Sequence, residues 1–548
     1  MVKAPPTNLS AHDWRHARTR QTEVSTPLGR VLMVQGTASH AGKSAIVTAF
    51  CRVFARAGLR VAPFKAQNMS NNAAVVDGGE IGRAQAVQAR AAGIEPTVDM
   101  NPVLLKPQGD RTSQVVVQGR PWRTTDAVGY YSHKRELWPV VTGALDRLRA
   151  THDVVVIEGA GSPAEINLAQ YDIVNMRVAR HADAPVLLVG DIDRGGVFAA
   201  LYGTVALLTP EERAYVRGFI INKFRGDPSL LTPGFSMLQE RTRIPTLGIL
   251  PYLDLGGLPS EDGLELDARG RFAHANRDRA ADAVLDIVVI RLPRIANLDE
   301  FQPLAREPGV EVRFVRDAER FGNPDLVIVP GTKATMADLA WMRERGLDAC
   351  VRDARDTGTP VLGVCGGYQM LGEHLADPGG VESAASAMPG LGLLPMETIF
   401  AADKVTERVR AKPAAASGLW SEEGCDTIDA YEIHIGRTLP ADASSLGPAP
   451  FALETRDGST VSDGAMSVDR LVVGTYLHGL FENGGFRRGV LRAVAQRKRV
   501  TLPAAGDDAV HDRAVDAAFD ALADAVCTNL DMTAINALVG IAETMHVG

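Results

Sequence analysis

The run Val361-Leu362-Gly363-Val364-Cys365-Gly366-Gly367-Tyr368-Gln369-Met370-Leu371-Gly372 sets one cysteine among four glycines. An apolar strand that turns abruptly into a helix leaves the residue at the turn exposed at the helix N-terminus. The flanking glycines permit the strained turn. The helix N-terminus favours the thiolate, which is the nucleophilic form. This pattern argues against a plain core cysteine, the reading that suits Cys51 in mid-helix. A nucleophilic cysteine needs a base. Tyr476-Leu477-His478-Gly479-Leu480-Phe481-Glu482 closes a later apolar run and offers His478.

A second chemistry is written at Gly36-Thr37-Ala38-Ser39-His40-Ala41-Gly42-Lys43-Ser44, which follows one apolar run and opens a helical pattern. Such a loop presents backbone N–H groups and a helix N-terminus to phosphate. Lys43 then reaches the terminal phosphates, and Ser44 ligates Mg²⁺. Gly36, Thr37 and Gly42 shape the ATP-binding loop. The metal needs an acid, and Glu158 ends the run 154–157 at the edge that faces the phosphates. Asp191 and Asp193 end the next run, as metal contacts or as helix caps.

These residues need parallel sheets to carry them. Short β-branched runs at 31–34, 154–157, 185–189 and 218–221 alternate with helical patterns such as 44–57. A second series follows at 285–290, 326–329, 360–364 and 471–476. Buried strands alternating with helices imply an α/β protein with two parallel-sheet domains. The expected division is a mobile N-terminal tail at 1–27, an ATP-binding domain with the phosphate loop at 28–253 and a linker at 254–283. A second α/β domain that carries Cys365 and His478 at 284–502 and a C-terminal helical appendage at 503–548 complete it. Residues 376–425, rich in Gly, Ala and Pro, are expected as loops and edge strands. The 548 residues carry a net charge of -8, which argues against a nucleic-acid surface. Five widely spaced cysteines without a CxxC pair argue against a disulfide framework. No stretch reaches membrane-span length, so a cytoplasmic protein is expected.

The Cys365 turn resembles the nucleophile elbow of class I glutamine amidotransferases, and the longer phosphate loop resembles that of dethiobiotin synthetase-like ATPases. The first resemblance implies an oxyanion hole from Val329-Pro330-Gly331-Thr332-Lys333, with Gly331 and Gly366 as backbone donors. It also implies that His434 either lines the glutamine pocket or is structural. Class I members usually carry Glu two residues after the histidine, where this chain has Leu480. Glu482 or a backbone carbonyl is then expected to orient His478, with hydrolysis slow until ATP and substrate are bound. The second resemblance places Asn222 at the adenine.

From about residue 28 to 500 the chain resembles the cobyric acid synthase family. The loops that carry this are Phe64-Lys65-Ala66-Gln67-Asn68-Met69-Ser70-Asn71-Asn72, Asp99-Met100-Asn101-Pro102-Val103-Leu104-Leu105-Lys106-Pro107, Asp191-Ile192-Asp193-Arg194-Gly195-Gly196-Val197-Phe198 and Pro259-Ser260-Glu261-Asp262. Loops rich in Asn, Gln and Lys after strands suit an acid-rich substrate. The resemblance implies substrate contacts from Lys65, Gln67, Asn68, Asn71, Asp99, Asn101, Asp191 and Asp193. It implies ATP- and Mg²⁺-dependent amidation of the b, d, e and g carboxylates of adenosylcobyrinic acid a,c-diamide in cobalamin biosynthesis, with L-glutamine as nitrogen donor. Oligomeric state stays open, a homo-oligomer included. Two rivals are a cobyrinic acid a,c-diamide synthase and a non-enzymatic P-loop partitioning ATPase; the latter has no use for Cys365 and His478.

Overall fold

The apolar run at 31–34 becomes the middle of the first sheet. The computed structural model describes residues 28–108, 112–253, 283–383, 385–414, 418–420, 427–454, 458–503 and 509–541. Six parallel strands, β1 (Arg30–Gly36), β2 (Val61–Phe64), β3 (Val154–Glu158), β4 (Val186–Asp191), β5 (Val216–Phe224) and β6 (Thr246–Pro251), lie in the order β6-β5-β4-β1-β3-β2. Their near-continuous Val, Ile and Leu content fits strands covered on both faces, and Leu32, Val156, Leu188 and Ile220 are fully buried. Because β1 lies between β3 and β4, the ends of all three meet at one edge, where Gly36, Glu158 and Asp191 stand. Helix α1 (Lys43–Arg56) starts directly above that edge.

The second sheet repeats the principle. Strands β7 (Leu285–Ile290), β8 (Val310–Val315), β9 (Leu326–Val329), β10 (Val361–Val364) and β11 (Val472–Thr475) run parallel in the order β8-β7-β9-β10-β11. Cys365 follows β10, Gly331 follows β9, and His478 lies just past β11. Both sheets therefore put their chemistry at the carboxyl ends of parallel strands, where the helix N-termini also point.

The structure differs from the sequence expectation in two places. The stretch expected as loops and edge strands contains an 18-residue strand, Met396–Pro413, paired on both sides within another sheet. Its charged residues hid it, because one of them, Lys404, turns inward towards a buried carboxylate. The C-terminal helices do not stand apart as an appendage. The helix Ala509–Asn529 packs on α1, with Phe519, Leu522 and Val526 in one core with Phe50 and Phe54. Arg52 and Arg56 bind Asp520 and Asp524 at 2.8 and 2.6 Å. The chain end thus covers one face of the first sheet. Residues 1–27, nearly all of the expected linker and the Pro259–Asp262 motif lie outside the described residues.

The two halves are in direct contact. The hairpin Ala73–Val76/Gly79–Gly82 of the first half lies against the strand Met396–Pro413. There Arg408 Nε donates to Val75 O at 2.9 Å, and Lys404 pairs with Glu80.

Candidate active site

Cys365 sits between β10 and helix α2 (Gly366–Leu371), with φ 50° and ψ -110°. A non-glycine residue held there stores strain that the surroundings must offset. They do so by close packing. A Cβ on Gly367 would lie 1.9 Å from Val329 O, so only glycine lets the helix start this near β9. The Cys365 N–H donates to Thr475 O at 2.8 Å, which ties the turn to β11.

His478 is buried beside it in the same cavity, while the Cys365 thiol itself donates to Ile433 O at 3.4 Å. The ring stacks on Tyr431 with centroids 5.3 Å apart. Its Nδ1 lies 3.2 Å from both carboxylate oxygens of Glu300, and the Gly479 N–H donates to Glu300 Oε2 at 3.2 Å. Burial alone would lower the His478 pKa; Glu300 and Cys365 outweigh it and push it up to about 10. Cys365, His478 and Glu300 thus lie next to one another in the order that a nucleophile, a base and an orienting acid would need. Gly331 approaches the ring so closely that a Cβ there would meet His478 Cε1 at 2.8 Å. Its loop is held by Thr332, which bonds Arg294 O at 3.0 Å and Asp338 at 2.5 Å. Gly331 and Gly366 lie beside Cys365, one in the loop after β9 and the other next in the chain.

The acid is neither Glu482 nor a backbone carbonyl, as the sequence led one to expect. Glu482 turns away and binds Arg83. Glu300 lies beyond the end of β7, 178 residues before the histidine. The acidic pair Asp299-Glu300 in a loop after the first strand of the second series was the available signal. Removing that carboxylate from the imidazole tests its role. Glu300→Gln should lower glutamine hydrolysis by about 10²–10⁴-fold, because the wrong tautomer is then held. Ammonia-dependent synthesis should be unchanged. A full glutaminase rate in that variant would discard the assignment.

Both halves of the chain line the cavity at Cys365. Asn71 and Lys106 come from the first half, and Lys333, Lys404, His434 and His478 from the second. Asn71 Oδ1 and His434 Nδ1 are buried there without a hydrogen-bond partner among the described residues. His434 stacks on Tyr476 at 3.7 Å. The fully buried Glu80 accepts from Lys106 at 2.8 Å and from Lys404. Burial favours its neutral form, but the two lysines hold it well below the usual carboxylate range. Lys333 donates to Gln114 of the first half at 3.0 Å. Burial, with Lys404 and Lys106 nearby, pushes Lys333 down to about 7. Lys106, Lys404 and, below about pH 7, Lys333 outnumber Glu80 on this wall, and Glu382 also lines the cavity.

At the first sheet, Glu158 is the hub. It accepts from Ser44 Oγ at 2.8 Å and Gln88 Nε2 at 2.6 Å, and pairs with Lys65 at 2.9 Å. Burial opposes its ionisation; Lys65, Gln88 and Ser44 together hold its pKa below normal. Lys43 Nζ donates to Ala38 O and Gly161 O at 3.0 and 3.2 Å. The Thr37 N–H donates to Val189 O at 2.9 Å, fixing the loop on β4. Gly42 has φ 97°, and a Cβ there would lie 2.0 Å from Asn222 Nδ2. Asn222 donates to Ala41 O at 2.9 Å, so here it braces the loop.

The residues expected at substrate divide. Lys65 faces Glu158, and Asn71 faces Cys365. Asp191 accepts from Lys223 at 2.9 Å, and Asp193 lies 3.5 Å from Arg225. Gln67 accepts from Tyr130 at 2.6 Å, and Asn68 Nδ2 donates to Gln85 at 3.2 Å. Asp99 binds Arg147 through both oxygens. Asn101 is an internal brace instead of a ligand-facing residue. It is 1% exposed, donates to Lys65 O and Val103 O, and accepts from the Gly82 N–H.

Residues 32–262 match the CobQ/CobB/MinD/ParA nucleotide binding domain, and residues 286–486 match the CobB/CobQ-like glutamine amidotransferase domain. The chain is 52% identical to a cobyric acid synthase of Sorangium cellulosum over 93% of its own length and 98% of that protein. It belongs to the cobyric acid synthase family. Other family members are 49% identical in Dehalococcoides mccartyi and 50% in Chloroflexus aurantiacus, each covering 93% of this chain and 99% of the relative. The family match spans both sheets, so the Glu158 hub and the Cys365 cavity lie within the shared part. No helix among the described residues is long and apolar enough to cross a membrane.

Proposed function

We propose that this chain hydrolyses glutamine at Cys365 and uses ATP to convert the b, d, e and g carboxylates of adenosylcobyrinic acid a,c-diamide to amides. The observation that carries this reading is the cavity at Cys365, which the nucleotide-binding half helps to build. A partitioning ATPase has no use for it. Full-length kinship to cobyric acid synthases favours the corrinoid over other acids.

Cys365 Sγ attacks the glutamine side-chain amide, and the N–H groups of Gly331 and Gly366 stabilise the oxyanion. His478 gives its proton to the departing ammonia, leaving a thioester on Cys365. Water, deprotonated by His478, releases glutamate. At the first sheet the loop Gly36–Ser44 holds ATP, and Lys43 draws charge from the γ-phosphoryl group as a substrate carboxylate attacks it. ADP leaves an acyl phosphate. Ammonia displaces phosphate from it and forms the amide. Ser44 and Glu158 offer two hard oxygen donors side by side, which fits Mg²⁺. When bound, Mg²⁺ neutralises phosphate charge during transfer. Lys65, beside Glu158, is placed to meet the same phosphates or the attacking carboxylate. Mass spectrometry of the product made from the a,c-diamide, ATP and glutamine tests the reading. Four added amides support it, and none would end it.

The lysines of the Cys365 cavity suit the α-carboxylate of glutamine. Lys333 is charged below about 7 and loses its proton above it. The KM for glutamine should therefore rise as pH rises through about 7, while the ligand's carboxylate stays ionised. Lys333→Met should remove that rise. A wild-type KM that is flat across this range would exclude Lys333 from glutamine binding.

A further inference from the structure

The carboxylate that orients His478 sits on a short turn, and that turn is gripped by the other half of the chain. Asn297 has φ 52° and opens the turn Leu298–Phe301 that carries Glu300. Asn297 Oδ1 accepts from the Ala73 N–H at 2.9 Å, and Asn72 Oδ1 accepts from the Leu298 N–H at 3.4 Å. Asp299, next to Glu300, accepts from Arg83 Nε at 2.7 Å. Arg83 opens the helix Arg83–Ala91 of the nucleotide-binding half, and its own N–H donates to Asn72 O at 3.1 Å. The other arm of Arg83 binds Glu482, four residues past His478. One guanidinium of the first half thus ties together both segments that form the base–acid pair.

We propose that Arg83 is a positioning residue for glutamine hydrolysis, acting through Asp299 to hold Glu300 against His478. The inference rests on the reading of Cys365 and His478 as the glutaminase centre.

The physical need is plain. Asp299 and Glu300 are adjacent and buried, 4% and 2% exposed. Two neighbouring carboxylates out of water repel each other. Burial, with Glu482 and Glu300, already raises the Asp299 pKa against the pull of Arg83. Without the guanidinium the turn relaxes towards solvent, or Asp299 takes a proton. Either change frees Glu300 from its place 3.2 Å from the imidazole. Arg83 lies outside the cavity at Cys365, so glutamine need not touch it. Asn72 and Ala73 follow directly on the loop that holds Lys65 at Glu158. The glutaminase acid is therefore set by a segment continuous with the phosphate site.

The test compares Arg83→Met and Asp299→Asn with wild type in the full chain. Glutamine hydrolysis, its pH profile and ammonia-dependent synthesis are measured. Both variants should lose about 10–100-fold in kcat for hydrolysis, a fraction of what loss of the whole triad acid costs. The KM for glutamine should hardly move. The alkaline limb of kcat/KM should fall by about one pH unit, because His478 loses part of its carboxylate partner. The groups facing His478 are Glu300, Cys365 and Tyr431, and those facing Arg83 are Asp299, Glu482 and Tyr431. The limb is assigned to His478 by its absence in the slow residual activity of His478→Gln. Arg83→Lys should restore part of kcat. The double variant should lose no more than Arg83→Met alone, since that variant already breaks the link to Asp299.

Unchanged kcat in both single variants would overturn the proposal. So would an equal loss of ammonia-dependent synthesis, which would mark general damage. Should Arg83→Met fail to fold, Asp299→Asn carries the same expectation alone. A wild-type chain that hydrolyses no glutamine would refute the glutaminase reading instead.

Discussion

Cys365→Ala should abolish glutamine-dependent amide synthesis and leave synthesis from high ammonia intact. The sulfur serves one purpose in the proposed reaction, to take the acyl group of glutamine. Cys51 does not replace it, because it is sealed in the core, where burial and Glu158 push its thiol far up. Rates of hydrolysis without the nucleophile fall by about 10⁶-fold in triad enzymes, so no measurable glutaminase should remain. Acyl phosphate formation belongs to the other sheet and its Ser44–Glu158–Lys65 cluster. Alanine is smaller and tolerates the elbow no worse than cysteine, so folding should survive. Product formation from ammonium chloride and from glutamine, measured side by side, decides the matter. Loss of both would mean that Cys365 acts in amide formation itself, and the division of labour would fail.

Lys43→Ala should remove synthesis from either nitrogen source. The charge at Nζ is expected to follow the γ-phosphoryl group as it transfers, and one such contact is worth about 10²–10³-fold in kcat. Lys43 also bridges Ala38 O and Gly161 O, so its loss loosens the loop over the phosphates. Glutamine hydrolysis should persist, since Cys365, His478 and Glu300 all belong to the second half. ADP release and amide formation are the measurements, with glutamate release as the internal control. A Lys43→Ala chain that still makes amide at the wild-type rate would refute the phosphate site. Loss of glutamate release as well would show that hydrolysis waits on nucleotide, through the contact of Asn72 and Ala73 with the Glu300 turn.

Strands, phosphate loop and nucleophile elbow were legible from residue order, because each is a local pattern. Apolar runs ending at Gly36, Glu158 and Cys365 report their own geometry within a few residues. The choice of His478 as base follows from the same logic of strand ends. What residue order left undetermined is which distant groups meet. Glu300 comes from 178 residues before His478, and Lys106 and Asn71 reach Cys365 from the other half. The strand Met396–Pro413 looks like surface until Glu80 gives Lys404 a buried partner. The helix Ala509–Asn529 looks detached until α1 supplies the other half of its core. A side chain's role there depends on a partner brought near by packing, and packing energy is summed over contacts that no local window contains. The sequence by itself determined the two chemistries and the strand ends that bear them. Tertiary structure alone decided that the acid of one site hangs from the framework of the other, because only folding brings Arg83 and Asn72 against the turn that carries Glu300.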